Sequence, residues 1–171
     1  MEFKVKVGND VQTYYKKTSL LEIIGDRDPE KRIVAAKVNN RIRELTYELY
    51  YDCEVEFIDC KSPEAVKVYE ATLRYVTAMA FRHAYPELKI RFAYNVSRSI
   101  SIHILTPGVV SSTAMLLRIK HEMESIIEQD LPLKRQIISK EDAAKLYQEH
   151  GFEDKLDLLP YRPANTVHLY T

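Results

Sequence analysis

The chain has 171 residues, 46% hydrophobic and 29% charged, a soluble globular balance with room for one generous domain or two small ones. The formal net charge is zero: residues 1–61 hold 11 basic and 12 acidic side chains, residues 62–171 hold 14 and 13, so neither half has the basic excess of a domain that grips a phosphate backbone unaided. No apolar run approaches the roughly 20 residues of a membrane span, the opening Met1–Asp10 lacks a signal-peptide core, and two cysteines, Cys53 and Cys60, are too few for a disulfide scaffold. The expectation is a cytoplasmic protein with free thiols and no membrane partner.

Phe3-Lys4-Val5-Lys6-Val7 alternates with period two, as a half-buried strand does, and Gly8-Asn9-Asp10 turns the chain into a return strand over residues 11–15. Ser19 with Glu22 three residues later makes a capping box ahead of the short helix Leu20–Ile24. The continuous apolar run at 33–38 predicts a central strand. Asn39-Asn40 predicts a tight turn into the edge strand 41–45, and Cys53–Ile58 alternates again. This order is that of a β-grasp sheet.

Ser62-Pro63 places a cap and a first-turn proline at the start of a long helix, which Tyr85-Pro86 ends. Tyr69, Leu73, Val76, Ala80 and Phe81 are its expected core stripe. Residues 90–94 and 100–104 alternate as a hairpin turning near Ser97. Ser111-Ser112 caps a second helix with Leu116, Ile119, Met123, Ile126 and Ile127 on one face. A strand at 134–138, a helix capped by Ser139 and Asp142 and ended at Gly151, and a strand at 167–170 complete the order. The fold class is therefore α+β, in two modules meeting near Lys61.

Thr18–Ile23, Val34–Asn40, Leu45 and Asp52–Ile58 carry a resemblance to the TGS domain, a ubiquitin-like β-grasp module, over residues 1–61. Residues 62–171 resemble the second domain of threonyl-tRNA synthetases, through Tyr85-Pro86, Asp130-Leu131-Pro132-Leu133-Lys134-Arg135 and the capped Ser139–Ala143. In synthetases that domain edits mischarged tRNA with two helical histidines and a later C-x-x-x-H. Aligning Tyr85-Pro86 with the family's aromatic-proline pair puts Tyr75 and Met79 where those histidines belong, and no cysteine follows Cys60. The resemblance thus implies an editing-like module without its metal ligands: no catalytic residue and no metal. The same pair of modules occurs at the front of uridine-kinase-related proteins, which the Gly151–Lys155 segment and the ending at 161–170 resemble more. That parentage implies a non-catalytic regulatory region whose partner is its own C-terminal kinase domain, with ATP and Mg needed only beyond Thr171. The alternative is a degenerate tRNA-editing region of a threonyl-tRNA synthetase or a stand-alone RNA-binding module. RNA and a small molecule are both candidate ligands.

The chemistry-bearing motifs are sparse. A phosphate-binding loop needs G-x-x-x-x-G-K-[ST], and none of Gly8, Gly25, Gly108 and Gly151 precedes Lys-Ser or Lys-Thr. No two of the five histidines stand three or four apart. A ligand cleft, if the family's geometry holds, is walled by Tyr75, Met79, His103 and Arg162, with the forked Arg162 guanidinium as its anion ligand. Lys89, Arg91, Tyr94 and Arg98 form the best basic patch. Strict alternation sends Tyr94 to the opposite strand face from Lys89 and Arg91, which predicts a solvated edge rather than a stacking platform.

Overall fold

A computed structural model describes residues 2–30, 32–97 and 99–170. It is α+β, with small sheets and five α-helices among the described residues. The chain divides into two compact units, Met1–Glu124 and Ser125–Thr171. The division falls inside the helix Thr113–Glu128.

In the first unit, β1 (Phe3–Val7) and β2 (Asp10–Tyr14) form a hairpin, and β1 also pairs in parallel with β7 (Cys53–Asp59). β7 pairs on its other side with β4 (Ile33–Val38), which carries the edge strand β5 (Arg41–Arg43). The five-stranded order is β2-β1-β7-β4-β5. The β4–β5 turn works because Asn39 and Asn40 both hold positive φ, 46° and 65°, which the right-handed strand twist favours and asparagine tolerates.

Helix α1 (Leu20–Ile24) lies across this sheet. Its capping box is complete: the Glu22 amide donates to Ser19 Oγ at 3.2 Å and the Ser19 amide donates to Glu22 Oε2 at 2.8 Å. That hydrogen bonding holds the Glu22 carboxyl below its usual range. A pair of two-residue strands that the sequence does not announce, β3 (Thr18–Ser19) and β6 (Glu48–Leu49), brings Leu49 under the helix. Leu20, Leu49, Phe3, Val5, Ile23, Ala36, Val38 and Val55 make one core.

Helix α2 (Pro63–Ala84) starts at its Ser62 cap, whose Oγ accepts from the Ala65 amide. Ala65 then packs with Ala35 and Ile58 of the sheet, and Lys37 bridges Glu56 and Glu64 at 3.3 and 3.0 Å. The expected stripe is buried at Ala80 and Phe81, half-buried at Leu73 and Val76, and fails at Tyr69. α2 buries Ala65, Thr77, Ala80, Phe81 and Ala84, whereas Tyr69 is 69% exposed. Four of these five are small, and Phe81 is the one large side chain that α2 buries. The next helix, α3 (Thr113–Glu128), likewise buries Met115, Ile119 and Ile126, while Leu116 and Ile127 are each 60% exposed.

In the second unit, β10 (Arg135–Ser139) pairs antiparallel with β11 (Thr166–Tyr170). Helix α4 (Lys140–Glu149), capped by Ser139, and the short α5 (Glu153–Leu158) close over that ribbon. Ala143, Tyr147, Leu159 and Val167 are its core. Among the described residues no helix is long and apolar enough to cross a membrane.

Leu49 on β6 is fully buried and Leu21 on α1 is exposed. Leu49→Ala should therefore cost about 2–5 kcal/mol in chemical denaturation, and Leu21→Ala less than about 0.5 kcal/mol.

Candidate functional site

The residues expected to wall a cleft are divided between the two units. Tyr75 and Met79 stand one turn apart on α2, both half-buried. Thr77 between them is buried, donates to the Leu73 carbonyl at 2.7 Å and lies 3.7 Å from Met123 Sδ on α3. His103 lies on β9 (Ser99–Ile104), also in the first unit. Arg162 belongs to the second unit, exposed in the segment after α5, with its carbonyl accepting from the Lys140 ammonium. Among the described residues no three His, Cys, Asp or Glu side chains lie close enough together to hold a metal ion.

The hairpin of β8 (Ile90–Val96) and β9 supplies a constellation that strict alternation misses. Ile90 opposes Ile104, Arg91 opposes His103 and Phe92 opposes Ile102. The register then shifts, and Asn95 opposes Ile100. Ala93 and Tyr94 thus share the place opposite Ser101, a β-bulge, and an extra residue in one strand moves the residues after it to the other face. The Tyr94 ring consequently packs edge-on against His103, centroids 6.0 Å apart and planes at 87°. Since His103 is paired with Arg91, Tyr94 lies on the Arg91 face. Tyr94 is not on the opposite face, as alternation alone requires.

Asn95 shows what holds the bulge. Arg74 Nη2 on α2 donates to Asn95 Oδ1 at 2.7 Å, and Asn95 Nδ2 donates to Glu70 Oε2 at 3.3 Å. α2 therefore holds the hairpin at Asn95, on the face that Asn95 shares with Ile100. Arg91, Tyr94, Ser99, Ser101 and His103 remain on the other. Tyr94 is 64% exposed. Arg98, the fourth member of the expected patch, lies outside the described residues.

The sequence held a signal for this face that residue-by-residue reading passes over. Between Glu87 and Glu122 there is no acidic residue, while Lys89, Arg91, Arg98, Arg118 and Lys120 are basic. The zero net charge of the chain conceals this tract. Two further contacts tie its ends: His83 Nδ1 lies 3.0 Å from Glu122 Oε1, and the Arg118 guanidinium sits 4.9 Å over the Tyr85 ring.

A second aromatic strip, in the first sheet region, is different in kind. Lys17 lies 5.6 Å from the Tyr50 ring centre, Tyr50 and Tyr51 meet edge-on at 5.2 Å, and Arg43 covers Tyr47 at 4.8 Å. Here Arg43 is followed closely by Glu44, Glu48 and Asp52, so no single sign of charge accumulates. Its hydroxyls pair instead: Tyr47 and Tyr51 oxygens are 3.4 Å apart, and that hydrogen bond, with burial, pushes the Tyr51 phenol up to about 12.

No family model matches the chain. Its curated relatives are threonine–tRNA ligases. That of Listeria welshimeri is 26% identical over 143 residues, 83% of this chain and 22% of the relative. That of Thermotoga neapolitana is 25% identical over 173 aligned positions, 99% of this chain and 27% of the relative. That of Rubrobacter xylanophilus is 31% identical over 137 residues, 80% of this chain and 21% of the relative. The chain spans about a fifth to a quarter of the length of these relatives.

The raised Tyr51 value has a signed consequence. A phenol whose pKa is higher folded than unfolded contributes stability that is complete below about pH 10 and lost as pH rises through about 12. Tyrosinate absorbance should show one late-titrating group that Tyr51→Phe removes, and the variant should lose less stability than the parent between pH 10 and 12.

Proposed function

We propose that the chain is a threonyl-tRNA-synthetase-type accessory region that binds tRNA without hydrolysing it. In this reading residues 1–61 are a TGS module and residues 62–171 the module that comes after it in synthetases. The sheet order β2-β1-β7-β4-β5, with β1 and β7 parallel and one short helix across it, supports the β-grasp part. The ligase relatives, aligned over as much as 99% of the chain, support the synthetase part. The uridine-kinase parentage implied by the ending draws nothing from those relatives, so the ligase relationship is preferred.

One observation carries the absence of hydrolysis. Tyr75 and Met79, one turn apart on α2, occupy the positions where the resemblance implies a histidine pair. A phenol and a thioether are poor partners for zinc beside the imidazole and thiolate it favours. Without a metal-activated water or a poised base, the ester of a mischarged tRNA has no nucleophile to meet. What is left is a scaffold with an acid-free, basic stretch on its surface, suited to holding RNA.

The purified chain, loaded with zinc and dialysed, should retain none in stoichiometric amount. It should leave Ser-charged threonine tRNA intact against a no-protein control, and bind that tRNA saturably. Retained zinc or turnover would contradict the loss of chemistry, and absence of saturable tRNA binding would contradict the binding role.

A further inference from the structure

We infer that the open face of the β8–β9 hairpin binds single-stranded RNA, with Tyr94 stacking on a base and Arg91 taking an adjacent phosphate. This deepens the tRNA-binding reading above and rests on it for the choice of nucleic acid. Three observations converge on the face. The β-bulge turns Tyr94 onto the side of Arg91 and His103, whose pairing is fixed by the register. Asn95, on the opposite side, is hydrogen-bonded to Glu70 and Arg74 of α2. Neither β8 nor β9 contains an acidic residue, and none occurs from Leu88 to His121.

Each group has a defined task. Tyr94 is exposed enough to offer a ring face, and the edge-on His103 ring limits its rotation, so little freedom is lost when a base lies on it. A π-face accepts any base, so the contact is tolerant of sequence. Arg91 is across the ladder from His103, on the same face as the stacking ring, where its fork can meet a phosphate in two places. Ser99 and Ser101 line the β9 side with hydroxyls suited to sugar and phosphate oxygens. A paired duplex keeps its bases stacked inside and would leave Tyr94 unused, so the preference is for single strands. An acidic peptide would need Arg91 alone, so dependence on Tyr94 separates the two.

The test uses the 171-residue chain and a fluorescently labelled single-stranded RNA of mixed sequence, about 12 nucleotides long to fall within the usual site sizes, read by anisotropy at two salt concentrations. Tyr94→Ala should weaken binding roughly 5- to 100-fold, the range expected for one stacked base. Tyr94→Phe should restore it. Arg91→Ala should weaken binding and reduce the salt slope by about 0.7, one released phosphate contact. Tyr69→Ala, an exposed tyrosine on α2, should change nothing. No binding by the parent chain, or equal binding by Tyr94→Ala, overturns the inference. So does a polyglutamate that competes as well as RNA and is insensitive to Tyr94→Ala. A parallel arm with whole threonine tRNA separates the two levels. If tRNA is bound and none of the hairpin variants weakens it, the tRNA-binding reading stands and this face is the wrong surface; if tRNA is not bound, the broader reading fails.

Discussion

The parallel pairing of β1 with β7 is the constraint on which the first unit depends. Val5, Lys6 and Val7 meet Cys53, Glu54 and Val55, residues far apart in the chain, and no hairpin can supply such a contact. The intervening segment must therefore cross over, and the capped α1 with the small β3–β6 ribbon does so, burying Leu20 and Leu49 on the way. β7 then pairs with β4 on its far side and runs straight into the Ser62 cap of α2. The direction of α2 is set by that exit, and the Ala35–Ile58–Ala65 contact and the Lys37–Glu64 bridge keep it on the sheet. The bridge itself is partly exposed and contributes little energy; the small-residue contact does more, because it removes apolar surface from water.

Through α2 the same constraint reaches the hairpin. Glu70 and Arg74 lie one turn apart and hold Asn95 between them. A strand with an extra residue is free to bend either way, and this grip decides which side faces the helix. The arrangement carries a cost: Arg74 Nε is buried without a hydrogen-bond partner. Asn95 turns its amide toward α2 and Tyr94 lies on the opposite face. The face that carries basic and aromatic groups together is thus the one away from the Asn95 contact.

Much of this was legible in the residues and some was not. Caps announce themselves because their side-chain bonds are local, so Ser19, Ser62, Ser112 and Ser139 all sit where the pattern puts them. The Asn39-Asn40 turn and the period-two strands were equally plain. Strand pairing across long separations was not: β3 and β6 are two residues each, too short for any period to show. The bulge in β8 was also hidden, since Ile90, Phe92 and Tyr94 alternate perfectly in sequence and only the partner strand reveals that Tyr94 has changed sides. On α2, hydropathy found Ala80 and Phe81 but also pointed to the exposed Tyr69 and passed over Ala65, Thr77 and Ala84. Of the site residues, His103 gains a ring partner in Tyr94, whereas Tyr75 and Met79 stand half-buried one turn apart on α2.

The proposed scaffold presents a binding face on its bulged hairpin and no hydrolytic centre on α2. Residue-resolved chemical-shift mapping with a short single-stranded RNA tests it most directly. Saturable shifts should concentrate at Arg91, Tyr94, Ser99, Ser101 and His103, with Tyr75 and Met79 unmoved. Shifts centred on Tyr75 and Met79 with a silent hairpin, or no shifts at all, would contradict it.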